Sequence, residues 1–204
     1  MITEFPAPGT LGAVILSVAM PSLIPPMPPD VLPPQGHSNL CWAASLICAA
    51  RYHAYPTVRG IDCADDVEAL VWREQRTLHI PPAWLKARDV CNWSGGRDRI
   101  LLLARALDIN CEATTPEEIL GHLAHGRPVI AGWEPARVDL ADPIRGRHFG
   151  VICSWTSAGV QVTDSLHNHS GEPPGTRARM RPPIPAALFE AAMGKRSSIA
   201  VLPR

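Results

Sequence analysis

Two patterns of apolar positions divide the chain. Early on they recur at helical spacing; later they alternate, or run unbroken in short stretches bounded by turn formers. Residues 39–54 predict the first helix. The run Cys-Trp-Ala-Ala-Ser-Leu-Ile-Cys-Ala-Ala holds strong helix formers and neither Gly nor Pro. Leu46, Ala49 and Ala50 share a face with Trp42, which assigns Trp42 to the core. Cys48 reads as a small buried apolar side chain. Residues 62–75 predict a second helix, with Asp62 as its cap and Val67, Leu70 and Val71 inward. Pro81-Pro82 ends that region; 83–87 is a short helical candidate and 92–96 a turn. A further helix is expected over 99–106. Thr115-Pro116-Glu117-Glu118 then reads as a helix start, with a cap, a proline in the first turn and acids where the dipole favours them. That helix runs to about His125 and stops at Gly126.

The remaining segments read as strands. They are 109–113, 128–133, His148–Trp155 and 160–164, with a loop over Glu134–Gly146 and a turn over 156–159. His148–Trp155 is apolar on both faces and therefore central, while 160–164 alternates and returns antiparallel. A helix near 185–193 and a strand over 198–202 complete the chain. Helices first and a mostly antiparallel sheet afterwards predict an α+β fold. No internal repeat is visible.

Composition narrows the class. A chain of 204 residues is one domain with or without an extension, here 35–204 preceded by 1–34. The apolar run over 11–20 is too short to span a bilayer. Glu4 rather than Lys or Arg precedes it, so a buried strand or a strap across the core is expected ahead of a secretion signal. Residues 21–34 hold seven prolines and predict an extended strap; a docking ligand or an inhibitory pro-segment is the alternative. Formal net charge is zero, which gives no reason to expect nucleic acid or an anionic membrane as partner. Six cysteines without a CxxC pair argue against a zinc knuckle. Reduced thiols in a cytosolic-type protein are the default, and a disulfide involving Cys63, Cys91 or Cys111 stays open. His167-Asn168-His169 alternates in a polar loop without strong ligand spacing, so neither metal nor cofactor is expected.

The chemistry gathers at Gln35-Gly36-His37-Ser38-Asn39-Leu40-Cys41-Trp42. Ser38 or Asn39 can cap the first helix, which puts Cys41 in its first turn. Free backbone N–H groups and the dipole there favour a thiolate. Gln35, six residues upstream, offers a side-chain amide that can converge with the Cys41 N–H on a developing oxyanion. The bland alternative for Cys41 is a buried core cysteine. A nucleophilic thiol also needs a base and a group to hold that base. Of eight histidines, His37 adjoins the nucleophile in sequence, His53 lies more than three helical turns away, and His122 and His125 sit on a surface-type helix. His148 opens the most buried strand and is the best-positioned candidate.

These segments resemble papain-like cysteine peptidases. Gln-Gly, Cys-Trp and the step from Gln35 to Cys41 match the family's active-site helix, and Cys-Trp-Ala-Ala looks most like bacterial members. Those are the peptidases that process bacteriocin leaders and the ones plant pathogens inject. Arg127-Pro-Val-Ile-Ala-Gly-Trp133, Gly146-Arg-His148-Phe-Gly-Val-Ile and Val160-Gln-Val-Thr-Asp164 look like that family's second half. The resemblance covers roughly residues 30–165. It implies Gln35 as oxyanion donor, Cys41 as nucleophile, His148 as base and Asp164 as orienter. Serine follows Asp164 where the family has proline, and the middle region is hard to match. A tight hairpin at Ser157-Ala158 sets His148 opposite His167, so Asp164 reaches His148 only through a larger turn or a bulged strand. Asn168 is the rival orienter, and an exposed acid capping the next turn is the bland alternative for Asp164.

The activity implied is hydrolysis of a peptide or isopeptide bond in a peptide or protein substrate. Glutamine deamidation, cleavage of peptidoglycan amides and acyl transfer use the same machinery. Small size and no evident secretion signal suit an effector or toxin domain delivered by a specialised system, with a cognate inhibitor or immunity protein as partner, an expectation from architecture alone. The different-class alternative is a non-catalytic peptide-binding module on the same fold.

Overall fold

We describe a computed structural model of the chain, over residues 40–80, 96–140, 146–165 and 179–204. The expectations for 1–39, for the segment 81–95 and for the loop 166–178 lie outside these residues, Gln35, His37 and Asn168 among them.

The first helix, α1, spans Cys41–Tyr52. Every residue from Cys41 to Ala50 is buried, not one face alone, so α1 is a central rod where periodicity predicts an amphipathic helix. A short 3-10 turn at Pro56–Val58 leads to α2, Ala64–Arg73, which buries Val67, Leu70 and Val71 as expected. Its cap differs: Cys63 is the N-cap, and its thiol and backbone N–H both donate to the Asp66 carboxylate, at 3.1 and 3.0 Å. The Asp62 carboxylate pairs with Arg51 instead. The next helix, α3, spans Arg97–Ala106 and buries Ile100, Leu103 and Ala104.

A strand β1, Cys111–Thr114, precedes the predicted helix start. The Thr115 backbone N–H and hydroxyl donate to the Glu118 carboxylate at 2.9 and 3.1 Å. One 3-10 turn, Pro116–Glu118, then continues into α4, Ile119–Ala124, and Gly126 at φ 68° ends the run. The strand β2 spans Val129–Trp133; the expected loop after it contains a short helix α5, Pro135–Val138. The long strand β3, His148–Thr156, is followed by β4, Gly159–Asp164, a two-residue β5 at Arg179–Met180, the helix α6, Ala186–Ala192, and β6, Met193–Val201. The last strand begins five residues before the predicted 198–202.

The strands form one six-stranded sheet in the order β1-β6-β2-β3-β4-β5, all neighbours antiparallel. β3 is interior, as its two apolar faces require. Ile130, Phe149, Val151, Cys153, Ile199 and Val201 pack with α1, α2 and α3 on one face. Val129, Ala131, Trp133, Ile152, Val162 and Ala200 pack with α4 and α6 on the other. The fold is therefore α+β, with helices on both faces of an antiparallel sheet. No helix among the described residues is long and apolar enough to cross a membrane.

Candidate functional site

Cys41 is the first residue of α1 and is 7% exposed. Ala43 and Ala44 both donate to the Leu40 carbonyl at 3.0 Å. The Cys41 and Trp42 N–H groups therefore lie ahead of the helix's first internal acceptor, where a helix terminus favours an anion. Trp42 is wholly buried, in agreement with its assignment to the core.

Contacts at the far end fix how α1 lies on the sheet. The Cys48 thiol hydrogen-bonds the Thr163 side chain and lies near Cys153. One turn beyond, His53 Nε2 lies 3.1 Å from the Val201 carbonyl, and the Tyr55 hydroxyl donates to the Leu202 carbonyl at 2.9 Å. The C-terminal half of α1 is thus tied to the sheet end where Val129 pairs with Ile152 and Ala200. Running back from Cys48, α1 rises about 10 Å to Cys41. With the other half of α1 held at that sheet end, the rise from Cys48 directs the Cys41 end toward the row where Met193 pairs with Trp133 and Trp133 with His148.

His148 is the first residue of β3 and is 2% exposed. Alternation along β3 sends Phe149, Val151 and Cys153 to the α1 face and Ile152 to the Trp133 face. His148, an even step from Ile152 and the register partner of Trp133, belongs to the latter. Nucleophile and base candidates accordingly stand at one end of the sheet but on different faces of it.

The position of Asp164 turns on a bulge. Thr156 pairs with Gly159 and Ser154 with Gln161, as a tight hairpin dictates, but then Ile152 pairs with Val162 and Val151 with Thr163. Cys153 is the extra residue, and it shifts everything beyond by one. Continued one step, this register sets Asp164 opposite Gly150, two residues from His148 and on the same parity. Without the bulge Asp164 would face Val151, on the other parity. A β-carbon at Gly150 would lie 2.6 Å from both the Thr163 carbonyl oxygen and Val162 Cγ1, so glycine is required for β4 to pass this close. Neither Gly150 nor Thr163 stands out in the sequence.

The other described thiols lie in different surroundings. Burial pushes the Cys48 thiol well above its usual range, with nearby Cys153 adding to the shift. Burial also raises Cys111 to about 12. Cys153 donates to the Val151 carbonyl at 3.4 Å within the core. None of the five described cysteines is in a disulfide, Cys63 and Cys111 included. Among the described residues no group of His, Cys, Asp and Glu is arranged to hold a metal ion.

Two features around Trp133, the register partner of His148, escaped the sequence reading. The Arg181 guanidinium lies 4.8 Å over the Trp133 ring and is almost wholly buried. The buried Trp133 indole N–H meets no acceptor among the described residues. Arg181 sits in a proline-rich run without periodicity, which leaves no signal to find it by.

The sequence matches no protein-family model and no curated protein.

Proposed function

We propose that the chain is a thiol hydrolase of papain-like type, acting on a peptide or isopeptide bond. The observation that carries this reading is the lie of α1 along β3, its Cys41 end directed toward the sheet end where His148 begins the strand. The Cys41 thiolate attacks the carbonyl and His148 protonates the departing amine. Water then hydrolyses the thioester, with His148 as base. Gln35 supplies the oxyanion donor and Asp164 orients His148. Deamidation, amide cleavage in peptidoglycan and acyl transfer share the thioester and differ in the group that enters or leaves.

The reading makes one geometric demand. Phe149 and Val151 hold the α1 face of β3, so the His148 ring must come round the start of the strand to meet the sulfur. Arg147, just ahead of it, lies outside the strand, and the start of a strand is where such a turn is open. The same parity favours a second reading, a non-catalytic peptide-binding module in which His148 is structural. A peptidyl fluoromethyl ketone decides between them. The hydrolase predicts covalent modification at Cys41, seen by mass spectrometry and lost in His148→Ala. Absence of modification in the wild type favours the binding module.

A further inference from the structure

A cavity of about 610 Å³ opens between the start of the 3-10 turn, α6 and the start of β6, lined by Thr115, Pro116, Glu117, Glu190 and Met193. It lies at the His148 end of the sheet. Met193 pairs with Trp133 and Trp133 with His148, so one cross-sheet row joins the cavity to the candidate base. Two strand spacings separate Met193 from His148, roughly 10 Å.

The lining has a distinct chemistry. Thioether and proline ring make an apolar wall, and two exposed carboxylates flank it. Neither Glu117 nor Glu190 forms an ion pair among the described residues, whereas Glu112, Glu134 and Glu74 each face an arginine. Met193, in turn, receives the Ser198 hydroxyl at 3.7 Å. An aliphatic stem ending in a cation fits such a wall and rim, because the stem buries against the apolar part while the charged head stays at the carboxylates.

We propose that this cavity is a specificity subsite for a lysine or arginine side chain of the substrate. That the bound peptide is a substrate rests on the hydrolase reading; the recognition of the cation does not. Both carboxylates are exposed, so each contributes modestly and its contribution is screened by salt.

The test uses the full chain and two readouts. Binding is measured with Cys41→Ala and a fluorescein-labelled peptide carrying one lysine, against its norleucine counterpart. Cleavage is measured as kcat/KM on peptides with lysine or norleucine placed at each position up to four residues either side of the scissile bond. The lysine peptide is expected to bind about tenfold more tightly at low salt. Glu117→Gln or Glu190→Gln each reduces the preference about threefold, and the double variant or 1 M NaCl removes it. Thermal unfolding unchanged in the double variant shows that the fold is intact. Equal binding of both peptides, or a lysine preference that survives the double variant, overturns the subsite. Lysine binding that needs both glutamates, with no peptide cleaved, leaves the subsite standing and defeats the hydrolase reading.

Discussion

Val151 pairs with Thr163, one register step from where a regular hairpin would leave them. The displaced Thr163 stands on the α1 face, where its hydroxyl reaches the Val151 carbonyl at 3.3 Å and its side chain meets the Cys48 thiol. One bulge at Cys153 thereby provides a buried polar partner for α1 and moves Asp164 onto the parity of His148. A single inserted residue flips every later position of a strand between faces, which is why one bulge has both effects.

Gly150→Ala tests how tightly β4 crosses β3. The added methyl would meet the Thr163 backbone oxygen, which cannot step aside as a side-chain end can. The expected cost is about 1–3 kcal/mol, measured by urea unfolding. A neutral substitution would mean that β4 has room to move away.

Tyr55→Phe tests the anchor of α1. The buried Tyr55 hydroxyl donates to the Leu202 carbonyl and accepts from the Asn110 N–H at 3.0 Å, joining the end of α1 to the chain after β6 and before β1. Its removal leaves both backbone groups without this partner and should cost about 1–3 kcal/mol of unfolding free energy.

Stability should fall in two stages on acidification. Burial holds His53 below its ordinary value of 6.5, with Arg127 adding to the effect against the Val201 hydrogen bond. The unfolded chain therefore takes up this proton first, and the stability His53 lends is full above about pH 6.5 and lost as pH falls through its lower folded value. Hydrogen bonds from the Cys63 thiol and from the Thr115 backbone N–H lower Asp66 and Glu118 from 3.8 and 4.5. Their contribution is present above those values and disappears in more acidic solution. Urea midpoints followed from pH 8 to 3 should show both stages, and His53→Gln should abolish the first while leaving the second.

Asp164→Ala separates the two orienter candidates. If Asp164 holds His148, kcat/KM on a cleavable peptide falls about tenfold or more, Asp164→Asn retains part of it, and Asn168→Ala is nearly silent. The reverse ranking assigns the role to Asn168.

Much of the framework was legible because local signals agreed with burial. Val67, Leu70 and Val71 recur at helical spacing and are the buried positions of α2. Thr115 and Gly126 bracket their helix by capping chemistry that depends on near neighbours alone. The unbroken apolar run of β3 could come only from an interior strand. The hidden features depend on distant partners. Full burial of α1 requires a sheet below and two helices beside it, none visible from its own composition. The Cys153 bulge leaves no mark in an alternating run, although it decides the parity of Asp164. At the site, Cys41 at a helix start and His148 at a strand start follow from sequence, but the face His148 takes depends on pairing with Trp133. Asp62 was displaced as cap because Arg51, eleven residues earlier, draws its carboxylate away.

The alkylation rate of each cysteine at pH 6.5, read by mass spectrometry after iodoacetamide treatment of the native protein, tests the central claim most directly. A Cys41 activated by the helix terminus and by His148 reacts at least about tenfold faster than any of the other five, and His148→Ala removes that advantage. A Cys41 that reacts no faster than the others, or as fast without His148 as with it, contradicts the account.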